Sequence, residues 1–431
     1  MTRDADDQSK GSKRLNHLLV AARHAFMLHG YQHVSVDGIS RASGVSKETI
    51  YRHFADKQAL FRAAMQNAAE QFAHDFADIF HGCTSPEAIL ARCARAIYDR
   101  AADIEHPTPN WLVVGTADRF PELSQAVFFD ALKSVAPLHA FLDKLARENG
   151  VETSVPLTVL AQFGALAVAG PLHIMAGTPP ADIDLAARRV ARLFIHGYGS
   201  DLDDESGKHA PALTFGLPPA DPVLPQEEHI AQLMAVARSH FFEHGYRGAS
   251  LDEIGTVARV GRGTLYRHFG SKKGLFTAVM QKAADNIVAR SQVHLSTDRS
   301  VVDNLFIAGN AASAILQSRE AIQLYRTVSA EAKAMPEVAS AIYRRTRARF
   351  VQPVAQYLAW CSARNILSLD DPEWAADQFV TLASGGNRYL VLNPPPTDAE
   401  REDAARLAIS IFLYGFLGRE AGAVRSARAD Q

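Results

Sequence analysis

Cysteine is scarce in this sequence, which has three such residues, Cys83, Cys93 and Cys361, in 431 positions. Three thiols cannot form a disulfide framework, and this low content is typical of a reducing compartment. No uncharged apolar run reaches about eighteen residues, so we expect no membrane span. The first residues, MTRDADDQSKGSKR, carry charges without an apolar core and do not resemble a signal peptide. These absences predict a cytoplasmic protein without membrane contact.

Catalytic motifs are also missing. The sequence has no G-x-S-x-G elbow, no P-loop and no G-x-G-x-x-G fingerprint, and its Ser, His and Asp residues show no triad spacing. His240 and His244 have the i, i+4 spacing of a metal pair, but no cysteine or carboxylate completes a ligand set. We therefore expect no enzyme, no cofactor and no metal site. The net charge of −2 argues against unspecific coating of nucleic acid, although a local basic surface is compatible with it.

What the sequence does contain is an internal repeat. Residues 49–54 read TIYRHF and residues 264–269 read TLYRHF, and the surrounding segments 16–65 and 231–280 align without a gap. Near the ends of the two copies, FIHGYG (194–199) matches FLYGFL (412–417). A repeat of this length indicates two copies of one unit of about 200 residues, a size that suits one or two domains.

The repeat sets the expected domain boundaries. Residues 200–227, SDLDDESGKHAPALTFGLPPADPVLPQE, are rich in proline and acidic residues, which predicts an extended, exposed connector. Within each copy the gapless aligned segment precedes a longer remainder that matches less closely. The expected domains are 16–65 and 66–199 in the first copy, and 228–280 and 281–420 in the second.

Both copies read as helical throughout. Apolar residues such as Leu18, Ala22 and Phe26 follow helical spacing, and Gly30 is placed to end that helix. Ser35 and Ser250 are good N-caps for a second helix, and Ser250 with Glu253 has the spacing of a capping box. Alternating runs of β-branched residues are absent, so we expect an all-α fold without a sheet.

Two short helices joined by a tight turn, after a packing helix, are typical of a helix-turn-helix. Ile50 and Phe54 in the first copy, with Leu265 and Phe269 in the second, would face the core. The opposite side would carry Lys, Arg, Thr, Tyr and His. Residues 35–62 hold five basic and three acidic residues, and residues 250–275 hold five and two. A polar, cationic helix face of this kind suits phosphates and base edges in the major groove.

Both segments, GYQHVSVDGISRASGVSKETIYRHFADKQALF and GYRGASLDEIGTVARVGRGTLYRHFGSKKGLF, resemble the DNA-binding domain of the TetR family of transcriptional regulators. The resemblance implies two tandem units, each with three N-terminal helices for double-stranded operator DNA and a C-terminal bundle for ligand and dimerisation. Tyr51, His53, Lys57, Tyr266, His268 and Lys272 would contact phosphates. Lys47, Glu48, Thr49, Arg262, Gly263 and Thr264 would lie nearest the base edges. The caps Ser35 and Ser250, with Arg52 and Arg267, complete the candidate DNA-binding residues.

The second copy departs from the first at two positions of its turn. Arg259 replaces Gly44, where a positive φ is expected, and Gly261 replaces the cap Ser46. Either the second turn has another shape, or Arg259 gains a phosphate contact that offsets a strain of roughly 1 kcal/mol. A degenerate second copy would favour another class of protein, a ligand sensor or scaffold in which this copy serves only for dimerisation.

We call the helix that is expected to lie nearest the bases in each copy, with its flanking turn, a reader. Two unlike readers in one chain predict an intramolecular pseudo-dimer on an asymmetric operator, with a homodimer of chains as the alternative. The final helices, within residues 182–198 and 400–416, are amphipathic and could pair. A small-molecule effector, apolar or aromatic, would release the operator. Candidate pocket residues are Trp111, Phe120, Phe128, Phe163 and His173 in the first copy and Tyr325, Arg326, Phe379 and Arg388 in the second, unless these side chains are ordinary core.

Overall fold

The computed structural model describes residues 2–29, 31, 34–82, 85–102, 114, 117, 120–151, 153–168, 180–199, 213–215, 228–290, 293–332, 334–386, 388–391 and 394–418. The chain divides into two compact units. Unit 1 comprises Met1–Leu160 with Val391–Asn393, and unit 2 comprises Ala161–Leu390 with Pro394–Gln431.

Unit 1 is built from helices. They are α1 (Thr2–His29), α2 (Val36–Ser43), α3 (Lys47–His53), α4 (Lys57–Ala77), a 3-10 turn (Asp78–Phe80), α5 (Pro86–Ala102), α6 (Pro121–Lys133), α7 (Ala136–Glu148) and the start of α8 (Leu157–Ala167). Helix α1 ends at His29, and Gly30, predicted to end it, lies outside the described residues.

Unit 2 contains the rest of α8 and all later helices. They are α9 (Ile183–His196), α10 (Glu228–Gly248), α11 (Leu251–Ala258), α12 (Arg262–Phe269), α13 (Lys272–Ala289), α14 (Val301–Leu316), α15 (Arg319–Glu331), α16 (Pro336–Ser362), α17 (Pro372–Ala383), a 3-10 turn (Arg388–Leu390) and α18 (Asp398–Tyr414). The compact units and the sequence repeats are therefore different divisions, because the last helix of the first repeat, α9, lies in unit 2. Among the described helices, none combines the length and the hydropathy of a transmembrane segment.

The expectation of a fold without any sheet was wrong at one point. Thr214–Phe215, inside the connector, pairs antiparallel with Leu295–Ser296. The N–H of Leu213 also donates to Oγ1 of Thr297 at 2.9 Å, and the Phe215 ring lies 5.8 Å from that of Tyr357. Strands of two residues are too short to leave an alternating pattern in the sequence. This part of the connector is thus attached to unit 2, and the rest of 200–227 lies outside the described residues.

Each helix-turn-helix module packs against the helix that follows it through a cluster of aromatic rings. In the first module Phe61 of α4 lies 5.1 Å from Phe26 and 5.0 Å from Tyr31, both in edge-on contact. In the second, Phe276 takes the same place against Phe241 at 5.0 Å and Tyr246 at 5.2 Å. Edge-on aromatic packing adds to the burial of these side chains. It fixes the packing helix against the helix that follows the short pair.

Within unit 2 the last helices of the two repeats meet. The N–H of Tyr198 donates to the carbonyl of Phe412 at 2.9 Å, and the N–H of Phe416 donates to the carbonyl of Phe194 at 2.8 Å. In the alignment of FIHGYG with FLYGFL, Phe194 is equivalent to Phe412 and Tyr198 to Phe416, so the two bonds are the same contact made in opposite directions. The rings of Phe194 and Phe416 stack at 4.8 Å. The ends of α9 and α18 are therefore joined by a reciprocal contact, as across a two-fold axis.

Candidate nucleic-acid interface

The first helix-turn-helix follows from local capping. Oγ of Ser35 accepts the N–H of Gly38 at 3.1 Å to begin α2, and Gly44, with φ 65°, ends it in the left-handed region. Oγ of Ser46 then accepts the N–H of Thr49 at 3.2 Å and begins α3. Because these caps fix the start of α2, the turn after it and the start of α3, the exposed face of α3 has a defined orientation.

That face carries the side chains expected to contact DNA. Tyr51 is 51% exposed, an unusual position for a large aromatic ring. Lys47, Glu48, Arg52 and His53 are exposed beside it, and Thr49 is half-buried. Ile50 is buried as expected, whereas Phe54, the residue after the helix, is only half-buried.

The second module repeats this geometry despite its two substitutions. Arg259 adopts φ 56° and ψ 39°, the left-handed conformation of Gly44, so the alternative of a differently shaped turn is wrong. Gly261 begins α12 without a side-chain cap. Oγ of Ser250 accepts the N–H of Glu253 at 3.4 Å.

On α12 the tyrosine again stands out, since Tyr266 is 51% exposed like Tyr51. Arg262, Gly263, Arg267 and His268 are exposed, and Thr264 is half-buried. The second reader therefore retains the arrangement of the first.

The helix after each recognition helix begins with a lysine whose ammonium group lies over a tyrosine ring. Nζ of Lys57 lies 4.6 Å from the centre of the Tyr31 ring. Nζ of Lys272 lies 5.0 Å from that of Tyr246 and donates to the carbonyl of Arg247 at 3.2 Å. Partial burial lowers the pKa of both ammonium groups from the usual range. A cation held over an aromatic face keeps its position beside the reader, in each copy.

An ion pair at the start of each recognition helix was missed in the sequence. Lys47 pairs with Asp37 of α2, and Arg262 pairs with the aligned residue Asp252 through two hydrogen bonds, Nε to Oδ1 and Nη2 to Oδ2. The hydrogen bond from Arg262 lowers the pKa of the exposed Asp252 carboxyl. The only available signal was that both acids occupy the same place in the repeat.

The candidate pocket residues are distributed over several places. In unit 1, the ring centre of Phe120 lies 4.8 Å from that of Tyr31, and the ring centre of Phe128 lies 5.8 Å from that of Phe129. In unit 2, Phe163 packs on Phe194 at 4.9 Å and Phe379 on Phe412 at 5.2 Å, where the repeats meet. Phe163 and Phe379 are fully buried core side chains. Trp111 and His173 lie outside the described residues.

The second repeat also contains a buried ion pair that was not foreseen, and the polar candidate Tyr325 lies near it. Arg347, 2% exposed, donates from Nε to Oδ1 of Asp377 at 2.7 Å, and the hydroxyl of Tyr343 donates to the same oxygen at 3.2 Å. Tyr325 bonds Thr346 at 2.5 Å, and burial raises the pKa of its hydroxyl to about 12. Arg326 donates to the carbonyl of Leu390 at 2.7 Å, and Arg388 is half-buried. Arg347 lies in the basic run RRTRAR, which has the composition of a solvated helix face.

Comparison with known proteins agrees with this geometry. The profile described as "Bacterial regulatory proteins, tetR family" matches residues 18–64 and again residues 233–279, which contain the two helix-turn-helix modules. A second profile, "AefR-like transcriptional repressor, C-terminal domain", matches residues 303–416. The chain belongs to the TetR family. It carries two tandem TetR-type units, and the described part of the chain is all-α apart from the short strand pair.

Two curated transcriptional regulators resemble short stretches of the chain. The HTH-type transcriptional activator FasR of Mycolicibacterium smegmatis is 40% identical over 77 residues, which is 17% of this chain and 35% of that protein. The HTH-type transcriptional repressor AcnR of Corynebacterium efficiens is 36% identical over 66 residues, 15% of this chain and 35% of that protein. The matched stretch thus spans about a third of the length of these relatives.

Solved structures of regulators are also similar to part of the chain. The flavonoid-responsive regulator FrrA is 24% identical, with 43% of this chain and 95% of that chain covered and a TM-score of 0.38. A TetR-family regulator from Mesorhizobium loti is 22% identical, with 44% and 100% covered and a TM-score of 0.37.

Proposed function

We propose that the chain is a sequence-specific, DNA-binding regulator of transcription with two working readers. The observation that carries this proposal is the matched exposed face of α3 and α12. Tyr51 and Tyr266 are equally exposed, and each is followed by an exposed Arg-His pair. A large aromatic ring with cations beside it is suited to contact the DNA backbone. A regulator of this kind acts on the chromosome and hence in the cytoplasm.

The two repeats of one chain form the pair that binds one operator. The reciprocal bonds between Tyr198 and Phe412 and between Phe416 and Phe194 support this intramolecular pseudo-dimer. Equivalent groups that exchange bonds are what an isologous interface between two identical subunits would contain. Here both halves of the contact belong to one chain.

Ion pairs at this interface favour a mixed pair of repeats. Nη1 of Arg189 lies 3.1 Å from Oδ2 of Asp371, and Nη1 of Arg192 lies 3.6 Å from Oδ2 of Asp370. The second repeat has Leu407 and Ser410 at the positions of the two arginines of the first repeat. The first repeat has Val155 and Ser154 at the positions of Asp371 and Asp370 of the second. Two first repeats would leave the arginines without carboxylates, and two second repeats would leave the aspartates without cations. Only the mixed pair matches the charges, which opposes pairing between like repeats of two chains.

The proposed effector is a small apolar or aromatic molecule that enters the first repeat. At the positions of Tyr343, Arg347 and Asp377 the first repeat has Phe128, Leu132 and Ala161. The second repeat is therefore fixed internally by a buried ion pair, while the aligned positions of the first are apolar. Effector binding would favour a conformation in which the readers no longer match successive major grooves, about 34–36 Å apart, and the operator would be released. We propose repression, although the named relatives include both an activator and a repressor.

Selection of binding sites from random duplex DNA with the purified chain tests this function. The expected result is one asymmetric site with two unlike half-sites. A palindromic site would replace the pseudo-dimer by a homodimer of chains, with one reader of each chain in use. Absence of enrichment at moderate salt and without effector would contradict DNA reading and leave the ligand sensor or scaffold as the function.

A further inference from the structure

Arg262 occupies the first position of the second recognition helix and is held by a carboxylate from the preceding helix. Its Nε and Nη2 both donate to Asp252, one to each oxygen. The side-on edge of the guanidinium is therefore occupied. The end-on edge, formed by Nη1 and the second hydrogen of Nη2, has no partner within the described part of the chain.

That edge matches the major-groove face of one base. Guanine presents O6 and N7, two acceptors that a planar guanidinium can bind with two parallel hydrogen bonds. We propose that Asp252 is a positioning residue that holds Arg262 so that its end-on edge reads a guanine in the second half-site. This inference rests on the proposed function and adds to it the base and the residue that decide the preference of the second reader.

The ion pair is exposed, which bears on what it can do. Arg262 is 70% and Asp252 57% exposed at the side chain, and pairs in water contribute little to stability. Its effect would be on orientation, because a side chain already held in one rotamer loses less entropy when it binds. The groups beside Arg262 leave the reading of the base to it. Asp252 supplies no hydrogen to a base, and the adjacent Gly263 has no side chain to obstruct the groove.

The first reader has different chemistry at the aligned positions. Lys47 is held by Asp37, but an ammonium is a single point charge and cannot form the planar fork. Oγ1 of Thr49 lies 2.9 Å from Oγ of Ser46. In the second reader Gly261 replaces that serine, so the hydroxyl of Thr264 has no such cap to bind. The loss of Ser46 and the gain of Arg262 therefore change the preference of the second reader and do not abolish it.

The test measures base discrimination at the selected site. Affinity is compared for the site with its half-site guanine, with adenine in its place, and with 7-deazaguanine, which lacks N7 but still pairs with cytosine. For the wild-type chain we expect either replacement to weaken binding about tenfold or more. Asp252→Asn keeps the shape and removes the charge, and it should reduce this discrimination to about twofold. Arg262→Lys should do the same.

Asp37→Asn in the first reader is the matched control and should leave discrimination in the second half-site unchanged. Thermal melting of each variant verifies that the fold is intact. If Asp252→Asn keeps the full discrimination, or if it strengthens binding to all sequences equally, Asp252 does not position Arg262 and the inference is overturned. Failure of the wild-type chain to select any site would instead contradict the proposed function itself, so the two failures are distinguishable.

Discussion

Gly415 lies against the backbone carbonyl of Ile195: a Cβ added at Gly415 would be 2.0 Å from the oxygen. The aligned Gly197 has the same relation to Leu413, whose carbonyl carbon and oxygen would both be 2.3 Å from an added Cβ. Both glycines have positive φ, 67° and 64°. The contact between the repeats therefore requires glycine twice, for close approach and for backbone conformation.

Replacement of either glycine by alanine should destabilise the chain strongly. The obstructing atoms belong to backbone and cannot rotate away, and overpacking of this kind costs roughly 1–3 kcal/mol in addition to the strain of positive φ. Urea denaturation of Gly197→Ala and Gly415→Ala measures the loss. Gly150→Ala is the control, because Gly150 has φ 81° but nothing within 4 Å of an added Cβ. Equal losses in all three variants would contradict a close contact.

The charge pattern between the repeats predicts that the chain does not need a second copy. We expect sedimentation equilibrium to give the mass of one chain, 46.9 kDa, and one chain per operator. A mass of twice this value at low micromolar concentration would favour the homodimer. As a companion variant, Arg189→Glu places like charges beside Asp371 and should lower the free energy of unfolding by about 1 kcal/mol, since the pair is partly exposed.

Tyr51 and His53 should act on affinity and not on sequence preference. Replacing both with alanine removes groups expected to bind phosphates, so binding should weaken on all sequences and the salt dependence should become flatter. Fluorescence anisotropy at several salt concentrations measures both. Arg147→Ala on α7, an exposed cation outside the reader, is the control. Unchanged affinity and slope would remove Tyr51 and His53 from the backbone contacts.

The ion pair of Arg347 and Asp377 should depend on both partners. Asp377→Ala leaves a buried guanidinium uncompensated and should lower the free energy of unfolding by about 3–5 kcal/mol. The double variant Arg347→Leu, Asp377→Ala copies Leu132 and Ala161 of the first repeat, and it should recover most of that loss. Urea denaturation distinguishes the two. A double variant as unstable as the single one would mean that Arg347 contributes mainly through packing.

Signals that lie close together in the chain predicted the fold well. Ser35 and Ser46 cap the starts of the two short helices, and those helix boundaries were recovered. At Arg259 the aligned glycine left two alternatives open, and the structure selects the positive φ. Such features are local, and capping and turn chemistry express them directly in the sequence.

Contacts between distant segments could not be read in the same way. The bonds of Asp252 to Arg262 and of Asp377 to Arg347 join side chains on different helices, and no spacing rule connects them. Helix α9 belongs to unit 2 because it packs on α18. The sequence shows only that each of these helices has an apolar face, and not which helix it packs against. These interactions depend on tertiary geometry, and the aligned repeats were the one route by which the sequence could point to them.

Arg259 offers the clearest separation of stability from DNA binding. A non-glycine residue at φ 56° is strained, so Arg259→Gly should raise the free energy of unfolding by about 1 kcal/mol. The reverse change in the first turn, Gly44→Arg, should lower it by a similar amount. If the exposed guanidinium of Arg259 binds a phosphate, the stabilised Arg259→Gly variant should bind DNA more weakly, with a salt slope smaller by about 0.9. Denaturation and anisotropy on the same preparations measure the two effects. Greater stability with unchanged DNA affinity would mean that the strain of this turn has no compensation at the operator.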